Sequence, residues 1–265
     1  MKFNVGWILD LDARGMFMAH DRHEAVLEIQ HDVREWFGWS VEEDIQSAEQ
    51  MRTFVNQLEN AAELQWDAAG RSATLAELQT RLTHAEKVVM IGAAVNEEDL
   101  QRSWPEGTDF VVADGAVGAC FNRVEPVCVV TDLDGGVHLE EAARRRIPLV
   151  LHAHGDNQDI WRSYLRSWSQ TFAPPLVLTH QTPQVFDDMH NPGGFTDGDR
   201  AVCFLVWLGV CVSKMELIGY ADDHLGRWSG ATDPERKLAK LSWMVKVLDI
   251  VMPFWKTPKQ PSQDA

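Results

Sequence analysis

A chain of 265 residues is long enough for one large domain or two small ones, and its 45% hydrophobic content can furnish a real core. With 24 Lys and Arg against 40 Asp and Glu, the formal charge of −16 repels nucleic acid and anionic membranes on average. No apolar run approaches the roughly 18 residues of a membrane span, and Met1-Lys2-Phe3-Asn4 is not followed by a signal-like apolar core, so a soluble cytoplasmic protein is expected.

Residues 1–86 read as a helical region. Asp10-Leu11-Asp12 near its start reads as a solvated acidic turn. Val26, Ile29, Val33 and Phe37 mark one helical face. Ser40-Val41-Glu42-Glu43 has the pattern of a capping box. The helix it opens carries Ile45, Ala48, Met51, Val55, Leu58 and Ala62 on one side and is expected to stop at Gly70. A third helix is expected over about Leu75 to His84. Nothing in this region converges on chemistry. It reads as a helical cap or as a dimerisation element, the latter making a homodimer.

From Lys87 the pattern changes to alternating strands and helices, expected to form a second unit over 87–256 with a frayed tail at 257–265. Strands are expected at Val88–Ile91, Phe110–Ala113, Val127–Val130, Leu149–Leu151, Leu176–Leu178 and Met215–Ile218, with helices over about 96–102, 137–146, 157–169, 198–212 and 234–251. Strands separated by single helices imply an α/β fold, a mostly parallel sheet with helices on both faces. Of the four cysteines, Cys128, Cys203 and Cys211 lie in apolar runs and read as buried hydrophobes; no Cys-x-x-Cys spacing suggests zinc.

Polar residues fall at successive strand ends. Asp114, Asp132, Asp134, His154, Asp156, Asn157, His180 and Gln181 all follow expected strands, and in a parallel sheet those ends share one edge. Asp132-Leu133-Asp134 ends in Gly135-Gly136, a sharp turn that lets backbone approach a ligand. Two carboxylates there suit a hard cation such as Mg²⁺. A second stretch, Asn191-Pro192-Gly193-Gly194-Phe195-Thr196-Asp197-Gly198-Asp199-Arg200, precedes an apolar helix whose free N–H groups can bind an anion. Asp197 and Asp199 suit either helix capping or metal and phosphate contacts, and Arg200 offers a donor fork for phosphate. The spacings of a P-loop and of a dinucleotide fingerprint are both missing.

Four of these motifs occur in a telling order: Ala113-Asp114-Gly115-Ala116, Thr131-Asp132-Leu133-Asp134-Gly135, His152-Ala153-His154-Gly155-Asp156-Asn157 and Gly193-Gly194-Phe195-Thr196-Asp197-Gly198-Asp199-Arg200-Ala201. Together they resemble the archaeal type of 6-hydroxymethyl-7,8-dihydropterin diphosphokinase, a family similar in fold to the catalytic domain of thiamine pyrophosphokinase. The resemblance covers about Val88 to Val251; the Trp7 region and Ser40 to Leu64 resemble the family more loosely. It implies Mg²⁺-dependent transfer of diphosphate from ATP to a pterin hydroxymethyl, release of AMP, and a product used in methanopterin- or folate-type cofactor synthesis. It implies metal or phosphate roles for Asp114, Asp132, Asp134, Asp156, Asp197 and Asp199, with Gly115, Gly135, Asn157, Gly194, Thr196 and Arg200 around ATP. Asp156 or His154 would take the alcohol proton, and His180, Gln181 and Asn191 would meet the pterin. Gly219-Tyr220-Ala221-Asp222 departs from the Gly-Met-Asp-like run of that family, which puts a role for Asp222 in doubt.

Three rival readings stand beside this one. An Asp-x-Asp pair can hold Mn²⁺ and a sugar nucleotide, as in related domains linked to glycosylation of motility filaments. His152 and His154, two apart on a strand, could bind zinc with His180 in a hydrolase. A nucleotide-binding scaffold with inert acids would require the loss of one or more acids from the cluster.

Overall fold

A computed structural model describes residues 19–230 and 233–256. The Trp7 region, Asp10-Leu11-Asp12 and the 257–265 tail lie outside the described residues. Three helices lead the chain: α1 (Ala19–Phe37), α2 (Val41–Asn56) and α3 (Ala68–His84). Six strands follow: β1 (Lys87–Ile91), β2 (Thr108–Ala113), β3 (Pro126–Thr131), β4 (Leu149–Ala153), β5 (Leu176–His180) and β6 (Met215–Ile218). Between them lie α4 (Glu97–Leu100), α5 (Val117–Cys120), α6 (Val137–Arg144), α7 (Gln158–Trp168) and α8 (Asp197–Leu208), and α9 (Pro234–Val251) comes last.

The strands form one sheet in the order β5-β4-β3-β2-β1-β6, every pair parallel. Val, Leu and Ile dominate them because each is covered on both faces, and β3, β4 and β5 are buried throughout. Side chains alternate between two cores. Val89, Ile91, Val112, Val129, Leu149 and Leu151 pack with α2, α5, α6 and α7. Val88, Met90, Val111, Cys128, Val130 and Val150 pack with α1, α3, α8 and α9. The chain steps from β1 to β5 in one direction, then crosses back along α8 to place β6 beside β1. That reversal creates a crevice at the C-terminal ends of β1 and β6, the kind of place where open α/β sheets take ligands. Among the described residues no helix is long and apolar enough to cross a membrane.

The first three helices are built into both cores rather than stacked apart from the sheet. Ala48, Met51 and Val55 of α2 join one core, and Val26, Val33, Leu78 and Leu82 of α1 and α3 join the other. Several details differ from the sequence reading. The second helix ends at Asn56, and Gly70 lies in the first turn of α3, where its N–H donates to the Asp67 carboxylate at 2.9 Å. Apolar Leu58 and Ala62 belong to a turn that delivers Trp66, fully buried, to the Pro174 carbonyl at 2.7 Å. Ser40 caps α2 by accepting from the N–H groups of Glu42 and Glu43, but its hydroxyl donates to Glu42, so Glu43 is not the acid it pairs with. Cys211 is exposed and Cys120 is buried.

Candidate active site

The C-terminal ends of the strands lie along one edge, and the acidic turns converge there. Asp114 follows β2 at φ +46°, and its buried carboxylate accepts from Thr131 Oγ1 at 2.5 Å. Leu133 sits at φ +75° between the two acids of the next turn, with Thr131 Oγ1 accepting from its N–H. A Cβ at Gly135 would come within 2.4 Å of the Asp114 carboxylate and 2.5 Å of the Gly115 nitrogen, so only glycine lets the two turns meet. Asp114, Asp132 and Asp134 offer oxygens within 4.8 Å of one another, and they are the one such potential metal-holding group among the described residues.

Charge at this edge is out of balance. Burial pushes the Asp114 carboxyl well above the usual range, and the charges of Asp197, Asp132 and Asp134 push it further. Asp197, at the start of α8, is raised to about 7 by burial and by Asp132. Asp132 is the exception. Burial alone would raise it, but a hydrogen bond from His154 and the charges of His154 and Arg200 hold it well below the carboxylate range. Carboxylates crowded this closely repel one another unless a cation neutralises them, so the donor set fits a hard divalent ion.

His154 sits between two acids, Nε2 3.1 Å from Asp132 Oδ2 and Nδ1 2.6 Å from Asp156 Oδ1. Burial would lower its pKa, but these two hydrogen bonds raise it to about 9, which makes it a cation at neutral pH. Arg200 reaches from α8, with Nη1 3.4 Å from Asp197 and 3.9 Å from Asp132, and Nη2 donating to Gln181 Oε1 at 3.0 Å. Its Nε has no partner among the described residues.

Two clefts meet at the acids. The first, about 610 Å³, lies over the β1–β6 crevice and is lined by the small-residue turns Gly92-Ala93-Ala94 and Gly219, with Asp114, Gly115 and Trp228. The second, about 650 Å³, lies over β4 and β5 and is lined by Trp39, Asp44, Gln181, Phe195, Arg200 and Lys240, with Asp132, Asp134, His154 and Asp156 at one side. Thr196, Asp197 and Lys237 line both. The Lys237 ammonium forms no salt bridge among the described residues.

Comparison with known proteins fixes the family. No protein-family model matches the chain. It is 34% identical over 197 residues to 6-hydroxymethyl-7,8-dihydropterin pyrophosphokinase of Pyrococcus furiosus, a match covering 72% of this chain and 75% of that protein. The chain belongs to the 6-hydroxymethyl-7,8-dihydropterin pyrophosphokinase family. That is a family of enzymes, and this chain is one of them. Proteins of the same name are similar to it in Methanothermobacter thermautotrophicus, 32% identical over 56% of this chain and 65% of that one, and in Methanocaldococcus jannaschii, 35% identical over 37% and 40%. No solved structure matches.

For this pterin pyrophosphokinase family member, the structure brings together Asp114, Asp132, Asp134, Asp197, His154, Arg200 and Thr196, with Asp156 at the rim, its side chain 70% exposed. Gly115 lines the first cleft, and a Cβ at Gly194, which sits at φ +88°, would come within 2.7 Å of the Arg200 Cα, so that turn needs glycine. Other expected residues are turned elsewhere. Asp199 completes a capping box with Thr196 and accepts from the Phe195 and Thr196 N–H groups, fully buried and away from the acid cluster. Asn157 clamps the turn after β4 through the His152 and Asp132 carbonyls. Of the three residues expected at the pterin, only Gln181 lines a cleft. His180 accepts from the Thr182 N–H, and Asn191 is tied to Gln30 and Gly193. His152 is also committed, with Nδ1 3.1 Å from Thr179 Oγ1 and Nε2 3.3 Å from Gln181 Oε1, so the three histidines do not form a zinc set.

Sequence reading misses Trp39 and Asp44, from the helical region in which no motif converges on chemistry, and Lys237 and Lys240 of α9. For the lysines a signal exists: Lys240 falls four residues after Arg236 and three after Lys237 in the first turns after the Asp233 cap, so the three share one side of the helix. For Asp44 none does, because only packing of α2 against the β4 and β5 turns brings it to the site.

Proposed function

We infer that this enzyme transfers diphosphate from ATP to the hydroxymethyl group of 6-hydroxymethyl-7,8-dihydropterin with Mg²⁺, releasing AMP, in methanopterin- or folate-type cofactor synthesis. ATP as donor suits a cytoplasmic enzyme. The observation that carries the reading is an uncompensated carboxylate cluster at the meeting point of two clefts, one per substrate. The name carried by the similar archaeal proteins supports the substrate class.

Asp114, Asp132 and Asp134 would hold the metal, with Asp197 beside them. Bound there, Mg²⁺ neutralises charge on the polyphosphate. The chain's own residues do the rest. The glycine-lined cleft at the β1–β6 crevice admits the nucleoside against bare backbone. Lys237, common to both clefts, and Arg200 and Lys240 in the second supply fixed positive charge for the β- and γ-phosphates, the pair that moves. Phosphoryl transfer passes through a loose transition state that asks little of a base. His154 therefore serves as a positive charge beside the transferring group, and the alcohol proton passes to the Asp156 carboxylate, which opens to solvent.

The test is ATP labelled at the β and γ positions, supplied with Mg²⁺ and the reduced pterin. Both labels should move to the pterin, with AMP formed one-for-one, and EDTA should stop the reaction until Mg²⁺ is restored. ADP as the nucleotide product, or no pterin-dependent use of ATP, would falsify the assignment.

A further inference from the structure

The second cleft carries a pairing of groups that the transfer itself does not use. Asp44, from the first turn of α2, is 3% exposed and lines the cleft wall beside the Gln181 amide. Gln181 Nε2 donates to Asp44 Oδ2 at 2.9 Å, and the Gly155 N–H donates to Asp44 Oδ1 at 2.9 Å. Arg34, whose Nη1 donates to the Gln181 carbonyl at 2.8 Å, lies 3.4 Å from the same carboxylate and helps hold it in place. The amide has a fixed orientation. Arg200 can only donate, and its Nη2 contacts Gln181 Oε1 at 3.0 Å, so the nitrogen must face Asp44. That nitrogen keeps a second hydrogen; Asp44 Oδ1 accepts only from Gly155, and on Oδ2 the Arg34 contact is long at 3.4 Å, so each oxygen has room for a further donor. The wall thus presents an anionic acceptor and a neutral donor side by side. Opposite in character is the aromatic face nearby, where Trp39 stacks on Phe37 at 4.6 Å and lies 5.9 Å from Phe195.

A 2-amino-4-oxo pyrimidine ring edge has the complementary pattern: two adjacent N–H donors, on N2 and N3, followed by the O4 acceptor. We propose that Asp44 and Gln181 read this edge, Asp44 taking the N2 and N3 hydrogens and Gln181 donating to O4, with the fused ring laid against Trp39. This rests on the diphosphokinase reading and deepens it by assigning the second cleft to the pterin and its selectivity to Asp44. The same geometry rejects a 2,4-dioxo ring, whose O2 would face the carboxylate with no proton between. A site built around a buried polar partner discriminates strongly against an analogue that cannot pair with it.

The experiment compares the 6-hydroxymethyl pterin with its 2,4-dioxo counterpart, 6-hydroxymethyl lumazine in the same reduced state, on the full chain with Mg²⁺ and ATP. Wild-type enzyme should favour the pterin in kcat/KM by at least about a hundredfold. Asp44→Asn, which offers an N–H to O2, should cut that preference at least tenfold and raise the pterin KM while leaving the ATP KM within twofold. A purely structural role for Asp44 would lower both substrates' rates together and leave the preference intact, which would overturn the proposal. Trp39→Leu guards against an Asp44 variant that does not fold: the pterin KM should rise about tenfold at an unchanged ATP KM, and an unchanged pterin KM overturns the cleft assignment. If wild-type enzyme makes no pterin diphosphate, the diphosphokinase reading itself fails, and this inference fails with it. Pterin turnover with intact discrimination in Asp44→Asn refutes this inference alone.

Discussion

Asp132 joins the two halves of the site's electrostatics. One oxygen accepts from His154 at 3.1 Å and faces Arg200 at 3.9 Å, while the carboxylate also belongs to the three-acid cluster. Asp132→Asn keeps the shape and removes the charge, so AMP formation should fall by about a hundredfold or more. Cooperative unfolding should persist, because His154 keeps Asp156 and Arg200 keeps Asp197 as partners. A small loss of rate would move the metal ligand elsewhere. His180 makes a different kind of prediction. The Thr182 N–H donates to its Nδ1 at 3.1 Å, and burial and then the nearby His190 lower its pKa to about 4. An unfolded histidine titrates near 6.5. The folded state thus binds fewer protons between these values. The stabilisation is complete above about pH 6.5 and is lost as pH falls towards 4, amounting to on the order of 3 kcal/mol. Urea unfolding at pH 7 and at pH 4.5 should show His180→Asn losing markedly less stability on acidification than wild type.

The six strands are legible in the sequence because each is a short apolar run closed by Asp, His or Gly. Buried parallel strands need that composition, and the turns after them must face water or a ligand. The same logic makes the acid cluster legible: acids after consecutive parallel strands have nowhere to go but one edge. Helices are read less well. The end of α2 is invisible because Leu58 and Ala62 continue the helical spacing into a turn whose geometry depends on Trp66 reaching Pro174. Likewise, Thr196 and Asp199 look alike as a cap and as ligands until the fold shows where the Asp199 carboxylate points. Contributions from α2 and α9 depend on long-range packing, which spacing alone does not carry. One clamp fixes that packing. Asp188 accepts from Arg52 and Asn56 of α2 and from Arg71 of α3, the last 2% exposed, which ties both helices to the segment after β5. Asp188→Ala leaves the Arg71 guanidinium buried without its anion and should cost about 3–5 kcal/mol in chemical denaturation. A loss under 1 kcal/mol would mean that α2 and α3 are held by apolar contacts alone.

At the scale of the molecule, a surface of net charge −16 surrounds a working edge where Lys237, Lys240 and Arg200 stand beside the carboxylate cluster, so a polyphosphate is accepted there as its metal complex, with the metal offsetting the acids and the three cations meeting the phosphates. The two clefts are lined by different residues and share only Thr196, Asp197 and Lys237. No side chain in that junction needs to carry the diphosphate between them. Neither substrate has to depart before the other arrives, and the donor and acceptor can be aboard at once. Initial-rate plots with ATP and pterin varied together should therefore give intersecting lines. Radiolabelled AMP should enter ATP only when pterin diphosphate is present to run the reaction backwards. Parallel lines, with AMP–ATP exchange by the enzyme and ATP alone, would mean instead that the chain holds the diphosphate covalently and hands it over in two steps.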